Sequence, residues 1–294
     1  MQLIPAKSIV SKTKHPDAWF GTDYNMNIYR GCSHGCIYCD SRSECYGNPD
    51  FDTVKVKEDA LRIIREELQR KSTRGVIATG AMSDPYNPLE QTLCLTRGAL
   101  ELIARFGFGV AIDTKGMLVA RDVDALQEIK KQAAVLVKMT ITTADAALCS
   151  NIEPHAASPK ERFAAIRTLS DGGIFSGVLM TPVLPFLNDT EENVREIITR
   201  AADAGAKFLY PAMGVTLRAG NREYFYEKLD AHFPGVKQQY MQTYGTQYMC
   251  TSPNAKRLWE TVAVQCGRLG LRYEMQDIIA AYKAEQGQRQ ISLF

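Results

Sequence analysis

Cys32, Cys36 and Cys39 are spaced C-x3-C-x2-C in a glycine-containing loop, within the stretch YRGCSHGCIYCDSRSECYG. Three thiolates so close along a chain can each take one iron of a four-iron cubane, which leaves the fourth iron without a protein ligand. A structural zinc ion is the rival occupant, with Cys45 or His34 as its fourth ligand. Zinc modules usually pair two C-x2-C units, or cysteines with histidines, and close with four ligands. A C-x3-C-x2-C triplet with Tyr38 just before its last cysteine matches them poorly, so a [4Fe-4S] cluster is the expected occupant.

The rest of the chain must position that loop. Its 294 residues suit one α/β domain with an appendage, and 45% hydrophobic with 23% charged residues can bury a sizeable core. A net charge of +2 neither demands nor excludes a polyanion partner. No apolar run reaches the ~18 residues of a membrane span, and the polar start MQLIPAKSIVSKTKHPD is no signal peptide. A cytoplasmic protein with no membrane partner is expected, its eight cysteines reduced. Cys94, Cys149, Cys250 and Cys266 are scattered, with no second C-x2-C spacing to hold another cluster.

Runs of β character near Asn25–Tyr29, Gly75–Ala81, Gly109–Thr114, Val135–Thr142, Phe175–Pro182 and Ala206–Met213 alternate with helical patterns. In Val56–Lys71, Leu61, Ile64 and Leu68 recur at helical spacing. Ser158-Pro159 opens another helix that stops at Gly172 and Gly173, and Thr190 caps a third that ends before Gly205. Six strands alternating with helices imply a parallel sheet, and six units fall short of a full (β/α)8 barrel. The expected fold is a partial (β/α)6 TIM-like barrel over residues 1–220. A mainly helical extension over 221–294 packs against it.

YRGCSHGCIYCD resembles the radical S-adenosylmethionine (SAM) superfamily signature. Its flanks resemble the spore-photoproduct-lyase-like branch, also described as DNA repair photolyase-like. The likeness runs from about Asn25 to Val215 through GAMSDPYNPLE, Thr96–Arg97, DTKGMLVARDVDAL, MTITT, IEPHAASPKERFAAIRTLSDGGI and PVLPFLND. It implies an enzyme in which SAM chelates the open iron and is cleaved reductively to a 5′-deoxyadenosyl radical. A reductant such as flavodoxin or ferredoxin is implied with it. One departure is plain. The lyase branch proper carries a hydrogen-donating cysteine shortly before its Ser-Asp pair, where this chain has Ala81. Asp40 likewise replaces an aromatic residue after the last cluster cysteine.

In parallel barrels the site lies at the C-terminal strand ends, and polar residues recur at those places here. Ser83, Asp84 and Glu90 follow the second strand, Asp113, Thr114 and Lys115 end the third, and Thr140 and Thr142 belong to the fourth. By the resemblance, Ser83 and Asp84 receive the SAM amino group and Tyr38 lies near its adenine. Thr140 contacts the methionine moiety. Lys115, a compact cation, suits the SAM carboxylate. Each has a plainer alternative: Asp84 before a proline starts a turn, Lys115 is solvated, Thr140 fills a strand.

Cys45 is the spare thiol, a candidate hydrogen donor or else a small buried hydrophobe. Arg218 and Arg222, beside Tyr224, Phe225 and Tyr226 and near Tyr240, Tyr244 and Tyr248, are candidate substrate residues that could grip phosphate and stack bases. Those tyrosines could instead line a packed helix face. A nucleobase or nucleic-acid substrate is the first expectation. A peptide or small metabolite is the second, and a non-enzymatic metal-stabilised module the third. The tail Gln290–Phe294, QISLF, resembles the peptide by which bacterial repair proteins bind the sliding clamp, or else folds back as an apolar pin.

Overall fold

The computed structural model describes residues 2–16 and 18–287. The main sheet is built from β2 (Val10–Lys12), β3 (Tyr24–Met26), β6 (Val76–Thr79), β7 (Gly109–Thr114), β8 (Val135–Thr140), β9 (Ser176–Met180) and β10 (Leu209–Pro211). Its order is β10-β9-β8-β7-β6-β3-β2. The six strands β3 and β6 to β10 run parallel in sequence order, and β2 joins β3 antiparallel at the edge. They coincide with the six runs of β character read from the sequence. Every residue of β6 to β9 is buried, as parallel strands covered on both faces require. Hydrogen bonds do not close the sheet into a barrel. A second sheet pairs β1 (Gln2–Ile4), β5 (Lys55–Lys57) and β4 (Tyr29–Arg30), and β11 (Gly214–Thr216) pairs with β12 (Met249–Thr251).

The helices are α1 (Ala60–Arg70), α2 (Glu90–Leu93), α3 (Leu95–Arg105), α4 (Val123–Lys130), α5 (Ala146–Ile152), α6 (Pro159–Asp171), α7 (Glu191–Asp203), α8 (Asn221–His232), α9 (Val236–Tyr244), α10 (Ala255–Leu269) and α11 (Met275–Gly287). The expected caps form. Ser158 and Glu161 make a reciprocal capping box at α6, and Thr190 accepts from the Asn193 amide at 3.2 Å. The helix expected from Val56 starts later, because Val56 is spent in β5 and α1 begins only after Asp59 turns through φ 52°. Among the described residues no helix is long and apolar enough to cross a membrane. The Gln290–Phe294 peptide lies outside the described residues.

Past residue 220 the helices have separate tasks. Helix α10 packs Leu258 and Val262 into the main core, and its Arg257 reaches Glu191 of α7 at 3.0 Å. Phe225, Leu229, Tyr240 and Tyr244 of α8 and α9 pack with Ile37 and Tyr38 beneath the cysteine loop. Helix α11 brings Ile278 and Tyr282 against Phe20, Val76, Ala134, Phe175 and Phe208, residues at or just before the N-terminal ends of the strands. That end of the sheet is thereby plugged, and the C-terminal end is left for chemistry. The Tyr282 phenol donates to the Phe20 carbonyl at 2.7 Å. Tyr282→Ala should therefore cost about 3–5 kcal/mol by denaturant unfolding, the usual range for a large aromatic truncated in a core. A loss under ~1 kcal/mol would show that α11 is not part of the cooperative core.

Candidate functional site

The cysteine loop leaves β4 and is stitched down by backbone. Gly31 sits at φ +83°, where a Cβ would run into the Thr53 carbonyl. The Cys32 amide donates to Phe51 at 2.8 Å, the Ile37 amide to Ile152 at 3.0 Å, and His155 to the His34 carbonyl at 3.1 Å. Cys36 is buried, Cys32 and Cys39 are half-buried, and all three are free thiols. Burial, helped by the Asp84 charge, pushes the Cys32 thiol up to about 11, and burial raises Cys36 as well. Cys32 and Cys36 stay protonated until a metal displaces the proton. Among the described residues no three His, Cys, Asp or Glu side chains converge closely enough to clasp a single ion. A cubane asks less of them, since each thiolate binds a different iron. The suggested fourth zinc ligands are turned elsewhere: the His34 Nδ1 faces Asp84 Oδ2 at 3.5 Å, and the Cys45 sulfur lies 3.7 Å from Arg218 Nη1. Cys45 is exposed, which corrects its reading as a buried hydrophobe.

The strand ends carry the other expected residues. Ser83 Oγ donates to the Gly31 carbonyl, tying the loop after β6 to the cysteine loop. Asp84 Oδ1 accepts from the Tyr86 amide at 2.8 Å and Thr114 Oγ1 at 2.7 Å, while Oδ2 accepts from the Lys115 amide at 2.7 Å. Asp84 thus starts a turn, as its plainer alternative held, and also locks the ends of β6 and β7 together. The Lys115 side chain differs. Its Nζ lies 5.6 Å from the Tyr38 ring centroid and has no hydrogen-bond or ion-pair acceptor among the described residues. Burial would lower its pKa, but the Cys36 thiol and the Glu153 carboxylate outweigh this and hold it above the usual lysine value. Thr140 is buried at the end of β8, and its carbonyl accepts from Arg162 Nη1 at 2.9 Å. Glu90 takes no part in the cleft. It is fully buried and accepts from the Tyr29 phenol, the Thr96 amide and Arg121, so it is a scaffold residue of the DPYNPLE loop.

Sequence reasoning missed a buried triad. Tyr38 donates its phenol to Glu153, and Glu153 Oε2 pairs with Arg162 Nη2 at 2.5 Å. Glu153 and Arg162 are each 1% exposed. Burial alone would raise the Glu153 carboxyl, but Arg162, Lys115 and the Tyr38 phenol hold it at about 2. Both residues lie in IEPHAASPKER, a stretch that carried the resemblance but from which neither side chain was singled out. The Glu-Pro step that ends α5 was the available signal.

A cavity of about 570 Å³ opens beside the loop. Tyr38, Cys39, Asp40 and Ser41 form one wall, Ala81 and the ends of β9 and β10 another, and Met249 and Trp259 the outer side. Asp40 Oδ2 accepts from the Tyr46 phenol at 3.0 Å, and its Oδ1 lies 3.4 Å from Arg218 Nε. Arg218 is partly exposed, with the Tyr46 ring at 6.0 Å and the Tyr248 ring at 4.8 Å. Arg222 behaves otherwise: its guanidinium donates to the carbonyls of Leu217, Gly245, Thr246 and Gln247, so it braces a turn. Phe225, Tyr240 and Tyr244 are buried in the helix packing, whereas Tyr248 is 46% exposed.

A family model for the radical SAM superfamily matches residues 26–209. An uncharacterised protein of Mycobacterium tuberculosis is 33% identical over 228 residues, covering 75% of this chain and 67% of that protein. One from Methanocaldococcus jannaschii is 34% identical over 196 residues, covering 66% and 71%. Among solved structures, spore photoproduct lyase complexed with a dinucleoside spore photoproduct is similar in fold. Its TM-score is 0.68 at 15% identity, over 92% of this chain and 81% of that one. The radical SAM methyltransferase TsrM of Kitasatospora setae, bound to cobalamin and a [4Fe-4S] cluster, follows at TM-score 0.56 and 12% identity, over 91% and 59%.

Two predictions come from this geometry. Anaerobic reconstitution should give a brown protein with about four irons per chain, and Cys32→Ala, Cys36→Ala or Cys39→Ala should each abolish the colour. Iron and SAM cleavage retained by the triple variant would refute the cluster assignment. Lys115→Ala should keep the cluster yet weaken SAM binding about ten- to hundredfold, the worth of a hydrogen bond to a charged group. Unchanged affinity in both Lys115→Ala and Ser83→Ala would remove them from the site.

Proposed function

This chain belongs to the radical SAM superfamily, an enzyme family whose cofactors are a [4Fe-4S] cluster and SAM, and we propose that it directs their chemistry at a nucleobase. Cys32, Cys36 and Cys39 hold the cluster, and its thiol set fits that group as a single-ion site does not. When bound, the cluster and SAM together supply a 5′-deoxyadenosyl radical, with electrons from a reductant of the flavodoxin or ferredoxin kind. Lys115 receives the SAM carboxylate on an ammonium that has no acceptor among the described residues. Ser83 Oγ, whose proton goes to Gly31, keeps its lone pairs for the SAM amino group. Asp84 contributes by fixing Ser83 and Lys115 in place, Thr140 borders the methionine end, and Tyr38 borders the adenine. The six parallel strands in sequence order support a partial (β/α)6 barrel over 1–220, with 221–294 as its extension.

The observation that carries the substrate assignment is the rim of the 570 Å³ cavity. Exposed Trp259 lines it, and Asp40 in its wall bonds the exposed Tyr46 and pairs with Arg218, which stands between Tyr46 and the exposed Tyr248. Aromatic faces beside a guanidinium stack bases and grip phosphate, and such stacking is worth about 1–3 kcal/mol per base. The fold likeness to spore photoproduct lyase, seen with a dinucleoside photoproduct, points the same way. The reaction need not be the same. Ala81 lines the cavity where the lyase branch has its hydrogen-donating cysteine, and Asp40 lines it in place of an aromatic residue. Cys45 is exposed beside Arg218 and does not line the cavity, so it becomes the donor only if a bound substrate reaches outward to it. Arg222 has no substrate role in this reading.

The test is isotope transfer. Deuterated single-stranded oligonucleotides, incubated anaerobically with reconstituted enzyme, SAM and reductant, should pass deuterium into 5′-deoxyadenosine. Arg218→Ala should raise the KM for the oligonucleotide about tenfold, as loss of a charged contact does. Transfer from a deuterated peptide pool, with none from nucleic acid, would replace this reading with peptide modification.

A further inference from the structure

Glu153 stands where a helix is forced to stop. Pro154 follows it, and its backbone leaves the helix at φ −142°, ψ 60°. Its carboxylate joins three parts of the fold. Oε1 accepts from the Tyr38 phenol in the cysteine loop and from Thr142 Oγ1 at 3.4 Å, just past β8. Oε2 meets Arg162 of α6 and the Cys149 thiol, the latter at 3.6 Å. Arg162 spends its remaining nitrogens on the Ala157 carbonyl at 2.7 Å and the Thr140 carbonyl at 2.9 Å. Every polar atom of this group is therefore committed, except that the Tyr38 ring offers its π face, and the Lys115 ammonium lies over it.

A wholly buried ion pair is weak evidence for stability, since apolar residues of the same volume usually do as well. Its placement needs another reason. A cation near an aromatic face is attracted by the ring quadrupole, and a phenol donating to a carboxylate makes that ring richer in electrons. Glu153 thus acts on Lys115 by way of Tyr38, and its negative charge also offsets the burial of that ammonium. We propose that Glu153, clamped by Arg162, is a positioning residue for the cofactor site: through the Tyr38 ring it sets where the Lys115 ammonium stands to receive the SAM carboxylate. The inference rests on the assignment of Lys115 above.

The experiment is a double-mutant cycle read by SAM affinity of the full, cluster-loaded chain, with thermal melting as a second readout. Glu153→Gln and Tyr38→Phe should each weaken SAM binding about tenfold. Together they should be no weaker than either alone, because both cut the same connection. Glu153→Gln leaves Arg162 uncompensated in the interior, so Glu153→Gln/Arg162→Met is compared with it. That variant should recover the melting temperature without recovering SAM affinity. Additive losses in the cycle, affinity that returns with the melting temperature, or a folded Glu153→Gln chain that binds SAM like wild type would each overturn the proposal. A wild-type chain that binds no SAM, or a Lys115→Ala chain that binds it fully, would instead bring down the underlying assignment and the inference with it.

Discussion

A charge taken out of water must find partners in the protein, and the C-terminal end of this sheet is organised around that demand. Asp84, Glu90 and Glu153 are all buried, and each connects one strand-end loop to another. Asp84 binds the loop after β6 to the end of β7, and Glu90 binds β4 and the start of α3 to Arg121. Glu153 binds the cysteine loop to the end of β8 through Arg162. Removing one partner from such a group leaves an uncompensated charge, at a typical cost of 3–5 kcal/mol. Segments far apart in sequence are thereby held in one arrangement before any cofactor arrives. Lys115 is the exception, since its ammonium alone among these groups has no acceptor among the described residues.

The strands were easy to read because parallel strands buried on both faces are nearly continuous apolar runs, as in VIAT and VLVKMT. The helix caps were legible because Ser158 and Thr190 bond only a few residues away. The cluster cysteines were legible for the same reason: their chemistry needs proximity that a short spacing already provides. Glu153 and Tyr38 are 115 residues apart. No local pattern joins them, and a lone Glu before a proline looks like an ordinary helix end. Arg222 failed in the opposite sense, for its neighbouring aromatics suggested ligand binding while three of its four carbonyl acceptors lie 23 to 25 residues further on.

The extension after residue 220 also escaped a simple description as added helices. Strand β12 returns to pair with β11, and its Met249 and Thr251 line the cavity. Tyr240 and Tyr244 repeat at helical spacing for packing, as their plainer alternative held, while Tyr248 lies beyond the helix and is exposed. A spacing of four carried on past the end of α9 thus joined residues with different fates. Helix α11 plugs the opposite end of the strands. The extension therefore finishes the body of the fold at one end and furnishes the cleft at the other.

The departures from the lyase branch fall on one side of the site. At the cofactor side the cysteine triplet, Ser83, Asp84, Lys115 and Tyr38 all stand in mutual contact or near it, and none departs from the resemblance. In the cavity proposed for the substrate, Ala81 lines the wall near the place where the resemblance has a cysteine, and Asp40 puts a carboxylate where an aromatic residue was expected. That carboxylate is bonded to Tyr46 and paired with Arg218, and Arg218 is held at the rim by the Tyr248 phenol at 2.7 Å. The substitution of Asp40 thus supplies the counter-charge that orients the rim arginine. On the function proposed above, a radical-generating half is kept intact by buried charge pairs and a recognition half is built around a different set of polar contacts. A rebuilt recognition half is how one fold can keep its cofactor chemistry while changing the molecule on which that chemistry falls.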